Sequence, residues 1–182
     1  MKRDEKIKIL TLTAMFTAVI AVLSIISIPM PTGVPLTLQT FAIALCGYTL
    51  GKKYASVSVV AYLFLGLIGL PVFTGFKGGP GVFASYTGGF LIGFVFMAFI
   101  CGIFTGKEKR VPALILGAPA LIACHLPGVI WFSHITGTSF LTAFLTVSLP
   151  FLLKDAASVC LAWAIGGSLN GLLCRKMNVS LR

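Results

Sequence analysis

The sequence predicts an all-α integral membrane protein, a compact bundle of six transmembrane helices with structured outer loops, in one domain over residues 1–182. Three observations predict it. Of 182 residues, 58% are hydrophobic and only 10% charged, with mean hydropathy +1.04, whereas a soluble domain carries charge on roughly a quarter of its positions. Mainly apolar runs, near the roughly 20 residues that cross a hydrocarbon core as a helix, fall at 9–28, 34–50, 54–73, 86–104, 111–133 and 148–174. The net charge of +10 is not gathered into a nucleic-acid-binding patch but punctuates alternate connections. Every cation except Lys77 and Lys154 lies before the first run, at 52–53, at 107–110, or after the last run. The positive-inside rule then places both termini in the cytoplasm and makes the number of spans even.

The run 9–28 follows a basic start and so resembles a secretory signal. It is longer than the typical h-region of roughly 7–15 residues and lacks a small-x-small cleavage site, so it is expected to persist as a span. Thr11, Ala14, Ala18 and Ala21 form a stripe of small side chains at helical spacing on it. Such stripes let helices approach closely in lipid; on the residues alone, packing inside this chain's own bundle is the preferred reading. The next run opens with Pro35-Leu36-Thr37-Leu38-Gln39-Thr40 near the outer boundary. Gln39 offers a donor and an acceptor, which suits an amide or urea group, or serves a helix-start hydrogen bond, with Thr37 as a candidate N-cap.

Gly51-Lys52-Lys53 is a short inner link, as is 105–110, whereas the outer connections 29–35, 74–85 and 133–148 are long and irregular. The loop after the third run contains Gly75, Gly78, Gly79 and Gly81 among Phe73, Phe76, Phe83 and Tyr86. Glycines permit close backbone approach, and non-helical backbone at membrane depth must be buried in protein or line a cavity. A loop dipping over a pocket and an ordinary exposed turn both fit, and the aromatics favour a packed loop. Gly89-x-x-x-Gly93 and Gly167-x-x-x-Gly171 suit internal packing. The fifth run is interrupted by Pro119 and Pro127 and carries His125, while Trp131 suits the outer aromatic belt or a pocket wall. With no H-E-x-x-H, His125 and His134 read as structural histidines and not metal ligands. Residues 140–147 suit a short interfacial helix.

Asp155 is the one carboxylate within the apolar body, beside Lys154 at the start of the last run. An acid in the hydrocarbon centre costs roughly 2.5–3.5 kcal/mol on insertion scales, so it is expected to face a cavity or partner. Adjacent helical side chains diverge by about 100° and need not pair, while Ser158 shares a face with Asp155. The carboxylate suits the N–H groups of a ureido or amide ligand, and Lys154 or Lys77 a ligand carboxylate. Alternatively, Lys154 snorkels outward and Asp155 bridges to it. The five cysteines, Cys46, Cys101, Cys124, Cys160 and Cys174, lie in separate runs without C-x-x-C spacing and read as small core residues. The chain has no G-x-x-x-x-G-K-[ST] loop for ATP and no G-x-S-x-G elbow. Gly79-Pro80-Gly81-Val82-Phe83-Ala84 fits a dinucleotide pattern only superficially, because Pro80 interrupts it and no strand precedes it.

Together these segments resemble the BioY family, the biotin-binding S components of energy-coupling factor (ECF) vitamin transporters. The resemblance rests on Pro35-Leu36-Thr37-Leu38-Gln39-Thr40-Phe41, on Tyr62-Leu63-Phe64-Leu65-Gly66-Leu67-Ile68-Gly69-Leu70-Pro71-Val72-Phe73, on Gly78-Gly79-Pro80-Gly81 with Thr87-Gly88-Gly89-Phe90-Leu91-Ile92-Gly93-Phe94, and on Pro150-Phe151 leading to Asp155. It implies six helices, a biotin pocket near the outer face covered by loops, and a contact of Ala14 and Ala18 with a transmembrane T subunit, which reverses the preference stated for that stripe. The implied site comprises Gln39, Phe73, Lys77, Gly79, Phe83, Ser85, Tyr86, Trp131, Lys154, Asp155 and Ser158. The chain departs from the family pattern at Ser158, where Lys is common, at Tyr86, where Pro is common, and at Phe90, where Tyr is common. The partner of the ligand's carboxylate thus stays open among Lys154, Lys77 and backbone or hydroxyl donors. The expected function is capture of biotin at the outer face of the plasma membrane, for uptake powered by the T subunit and two ATPase subunits. The chain itself is expected to perform no chemistry and to need no cofactor or metal. A self-sufficient secondary transporter, coupled through Asp155, is the alternative.

Overall fold

Residues 3–105 and 110–177 are described by a computed structural model. Lys2, Lys107, Lys109 and Arg182, counted above in the charge pattern, lie outside them. The first helix, α1 (Arg3–Ile25), buries Ile9, Leu12, Phe16 and Ile20 against α2 (Gln39–Leu67). Two interhelical hydrogen bonds reinforce the seam: Thr17 Oγ1 donates to the Ser58 carbonyl (3.1 Å) and Ser58 Oγ to the Thr13 carbonyl (3.1 Å). Where lipid tails remove any hydrophobic drive between helices, such bonds and close packing hold them together. Ala14 and Ala18 face away from this seam and are exposed, so they do not pack inside the bundle.

Two short strands follow, β1 (Ser27–Ile28) and β2 (Leu36–Thr37), paired antiparallel as Ser27 with Thr37 and Ile28 with Leu36. The run expected to become helical at residue 34 therefore starts only at Gln39. Pro29, Pro31 and Pro35 lack N–H donors and disfavour helical backbone in the residues before them, so this stretch closes as a hairpin. Leu38, not Thr37, is the N-cap; the Thr37 hydroxyl instead accepts from the Gln39 N–H at 3.3 Å.

Helical backbone in α2 breaks at Gly51 (φ 79°, ψ 166°), and the Lys52 N–H is satisfied across the bundle by the Gly102 carbonyl (3.0 Å). The helix thus has two halves meeting at the inner link expected from Gly51-Lys52-Lys53. Next come the single turn α3 (Pro80–Phe83) and α4 (Gly88–Cys101), which lies between α2 and α6 (Gly117–Thr136). A Cβ on Gly89 would stand 2.3 Å from the Pro127 carbonyl oxygen, and one on Gly93 2.5 Å from that of Cys124. Gly89-x-x-x-Gly93 therefore serves internal packing. On the last helix the corresponding close approach is at Gly166, whose Cβ would meet that of Tyr48 at 2.6 Å.

The fifth run divides into α5 (Arg110–Ile115) and α6, with Pro127 inside α6. Residues Phe140–Val147 form the expected short helix, α7, capped by Ser139 Oγ accepting from the Thr142 N–H (3.2 Å). The last helix is α8 (Leu149–Met177). Among the described residues, Arg3–Ile25, Ala113–Thr136 and Leu149–Met177 are long and apolar enough to cross a membrane, and Gly88–Cys101 is a shorter apolar helix. Large apolar side chains such as Leu10, Phe64, Ile122 and Leu153 are exposed around the bundle, the surface a bilayer covers. Cys46, Cys101 and Cys124 are buried, as expected of small core residues, but Cys160 is exposed on the outer face of α8.

The two ends of the bundle differ. Asn170 Nδ2 donates to the Thr49 carbonyl (2.7 Å) and Lys8 Nζ to the Met177 carbonyl (2.9 Å). The start of α1, the bend at Gly51 and the end of α8 therefore share one end, with Arg3, Lys6, Lys8, Lys52, Lys53, Arg175 and Lys176 on these segments. The β1–β2 hairpin and the first turns of α8 occupy the other.

Candidate ligand chamber

At the end away from most of the basic residues lies a cavity of about 590 Å³, within the roughly 300–1,000 Å³ typical of small-molecule sites. The hairpin, the 73–87 loop and helices α2, α4, α6 and α8 all contribute walls. Apolar surface comes from Phe73, Val82, Phe90, Leu91 and Phe151, and polar groups come from β2 and α2 (Thr37, Gln39, Thr40), from the loop (Thr74, Lys77, Ser85, Thr87), and from α6 and α8 (His125, Lys154, Asp155).

Asp155 is buried in the first turns of α8, and Lys154 bends back to pair with its carboxylate. The same ammonium donates to the Thr37 carbonyl at 3.0 Å, tying α8 to strand β2. Helical divergence at adjacent positions is overcome because the flexible lysine stem can curl toward the neighbouring carboxylate. The other Asp155 oxygen, Oδ2, lies 3.2 Å from His125 Nε2, a close polar contact off the axis of a hydrogen bond. His125 Nδ1 is 2.9 Å from Ser148 Oγ. Gln39 donates through Nε2 to Tyr62 Oη (2.9 Å), which fixes its amide in the chamber wall.

The 73–87 loop is packed at its base and open at its tip. Phe73 is buried over Gly66, edge-on to Tyr62 (centroids 5.3 Å) and Phe83 (5.7 Å). Its N–H donates to the Lys77 carbonyl (3.0 Å), and the Gly79 N–H to the Gly66 carbonyl (2.7 Å). Phe76, expected to help pack the loop, is instead 71% exposed, because the turn at Gly75 and Phe76 turns it outward. Tyr86 packs on Phe132 (5.6 Å) and covers Gly33 so closely that a Cβ there would stand 2.9 Å from its ring.

Of the residues expected in a site, Gln39, Phe73, Lys77, Ser85, Tyr86, Lys154 and Asp155 come together around the chamber. Gly79, Phe83, Trp131 and Ser158 stand outside its lining. Gly79 caps α3, Phe83 backs Phe73, and Trp131 Nε1 donates to the Ser85 carbonyl (2.9 Å), so these three hold the loop from behind. Ser158 is buried one turn beyond Asp155. His125 is the lining residue that the sequence reading treated as structural. The signal lay in the same rule that singled out Asp155: a titratable side chain in an apolar run seeks a partner, and the two are partners for each other.

Ser148, His125 and Asp155 contain the three side-chain types of a hydrolytic triad, but Ser148 is fully buried and does not line the chamber. A nucleophile must reach the reacting carbonyl, so this serine serves only to orient the imidazole. Among the described residues no three His, Cys, Asp or Glu side chains gather as a metal site.

A helical bundle with an apolar exterior, enclosing a loop-covered chamber with one buried, partnered carboxylate, defines a multi-pass membrane protein that binds a small polar solute. The chain belongs to the BioY family, whose model matches residues 1–174. It is 36% identical over 166 residues to a probable biotin transporter BioY of Pyrococcus horikoshii, covering 91% of this chain and 98% of that one. It is 34% identical to the biotin transporter BioY2 of Lactococcus lactis over 90% of this chain and 91% of that relative. Among solved structures it is similar to the crystal structure of the S-component for biotin from an ECF-type ABC transporter. The TM-score is 0.84 at 32% identity, over 94% of this chain and 95% of that one.

Proposed function

We infer that this protein is the biotin-binding S component of an ECF transporter, capturing biotin in the chamber around Asp155. The observation that carries the reading is the buried Asp155 carboxylate, held by Lys154 and His125 at the wall of a chamber of about 590 Å³, in a chain of the BioY family. A buried carboxylate accepts the N–H groups of a ureido ring, and the apolar walls suit the ligand's hydrocarbon and thioether body. Titration of the purified protein with biotin in detergent tests this: tight, saturable binding is expected, and its absence would sink the reading.

The chain crosses the membrane six times, with the two halves of α2 as separate spans. The break at Gly51, with its backbone satisfied at Gly102, supports this reading. Both termini lie in the cytoplasm and the chamber opens outward; the gathering of basic residues at the end away from Asp155 supports this orientation. A T subunit docks on the exposed stripe of Ala14 and Ala18, and two ATPase subunits supply the energy. Enlarging that stripe with Ala14→Trp and Ala18→Trp is expected to leave biotin titration unaltered while uptake in cells falls about thirtyfold, equivalent to roughly 2 kcal/mol at the subunit contact. Normal uptake by the double variant would remove the stripe from the contact.

A further inference from the structure

His125 was expected to be a satisfied core histidine, and its surroundings do not fit that role. Its side chain is 8% exposed and that of Asp155 6%, and whereas Asp155 Oδ1 is taken by Lys154, His125 Nε2 completes no hydrogen bond of good geometry. Both residues line the chamber. Buried polar atoms are rarely left without a well-aligned partner, and such a nitrogen on a cavity wall, beside a carboxylate, marks where a ligand supplies what the protein does not. The ring itself is fixed. Ser148 Oγ lies 2.9 Å from Nδ1, and Phe90 meets the ring edge-on with centroids 5.9 Å apart. A serine hydroxyl can donate to Nδ1, and in that tautomer the imidazole proton is on Nε2, toward Asp155. Lys154 is already engaged by Asp155 and the Thr37 carbonyl, whereas the His125 ring has a nitrogen on the chamber side, beside the carboxylate.

We propose that His125 is a ligand-contacting, specificity-determining residue: its Nε2–H and the neighbouring Asp155 carboxylate form a donor–acceptor pair that reads the C=O/N–H edge of the ligand's ureido ring. This assignment rests on the biotin reading. A ureido edge presents an acceptor oxygen and a donor nitrogen side by side, and Nε2 and Oδ2, 3.2 Å apart, offer the complementary order. Sites that hydrogen-bond a ligand group discriminate strongly against analogues lacking it, because the protein's buried partner is then orphaned.

The test crosses variants with analogues. Wild type and His125→Phe are titrated with biotin, with biotinamide, which keeps the urea but loses the carboxylate, and with 2-iminobiotin, which has nitrogen in place of the ureido oxygen. His125→Phe is expected to weaken biotin and biotinamide by about thirtyfold each and 2-iminobiotin by no more than about threefold. His125→Gln, which restores an N–H donor, is expected to recover biotin to within about tenfold of wild type. Equal losses for all three ligands would make His125 structural, a loss for biotin but not biotinamide would move it to the carboxylate, and no loss would remove it from the site; each overturns the assignment. If His125→Phe melts well below wild type without ligand, Ser148→Ala replaces it. That change frees Nδ1 and is expected to give the same ligand pattern at smaller size; a flat pattern there overturns the proposal too. Failure of the wild-type protein to bind any of the three would overturn the biotin reading, and this assignment with it. Wild-type binding with a flat pattern overturns the assignment alone.

Discussion

Asp155→Asn is expected to weaken biotin binding by about a hundredfold or more, equivalent to roughly 3 kcal/mol, as when one partner of a buried, hydrogen-bonded charge pair is truncated. The substitution preserves shape and removes charge, so the loss reports electrostatics and not a cavity. Three consequences act together. The ligand's N–H groups lose an anionic acceptor, which forms hydrogen bonds about twice as strong as a neutral one does. Lys154 keeps the Thr37 carbonyl and gains a neutral amide oxygen in place of the carboxylate, so an ammonium beside the chamber is left without its counter-charge. His125 loses the anionic neighbour that Oδ2 provides at 3.2 Å. Titration of the variant in detergent measures the first consequence, and unchanged affinity would take Asp155 out of the binding site. Lys154→Met is not an equivalent experiment, because it also unties β2 from α8.

Much of the chamber was legible in the sequence because its strongest signals are costs. A carboxylate in an apolar run is expensive, and Asp155 stands out for that reason alone. The glycines of the 74–85 loop mark backbone that must turn tightly, and Gly79, Gly75 and Gly51 all adopt positive φ. Gly89 and Gly93 sit where a helix can approach only if side chains vanish. The unread features share a different cause: they depend on where the chain folds back, and periodicity does not encode that. The two-residue strands of the hairpin are too short to alternate visibly, so 34–38 passed as helix. His125 and Asp155 lie on different helices, and only the packing of α6 near α8 makes them neighbours. The roles of Trp131 and Phe83 as supports behind the loop arise the same way, since an aromatic residue's type says it will be half buried but not on which side of a pocket wall. The family resemblance supplied the substrate and the expectation that Ala14 and Ala18 face a T subunit; composition and spacing supplied the membrane and the acid, and the expectation of an even number of spans.

Gly66→Ala is expected to lower both melting temperature and biotin affinity, against the usual sign of such a change. In a helix interior, replacing glycine by alanine stabilises by roughly 0.8–1.0 kcal/mol through backbone entropy. Here a Cβ would stand 2.1, 2.3 and 2.8 Å from three ring atoms of Phe73. No carbon pair tolerates such distances, and the phenyl ring is rigid, so it must leave or α2 must shift. Phe73 is held between Tyr62 and Phe83 at 5.3 and 5.7 Å, so a displaced ring moves toward the chamber it lines. Burying a phenylalanine is worth about 1.5–3 kcal/mol and each aromatic pair about 0.5–1.5 kcal/mol beyond that. The net expectation is therefore a loss of about 2 kcal/mol, and the steric effect outweighs the propensity. The damage reaches the ligand because the displaced ring anchors the loop that carries Thr74, Lys77, Val82 and Ser85 to the chamber, and the Gly79 N–H bond to the Gly66 carbonyl goes with it. Affinity is expected to fall by about thirtyfold as several wall residues lose their positions together. The companion variant Phe73→Leu in the Gly66→Ala background vacates the space the new methyl needs. Recovery of melting temperature with affinity still reduced would separate the clash from the loss of the Phe73 ring at the chamber wall. A Gly66→Ala protein that melts and binds like wild type would mean that the loop is not seated on this glycine.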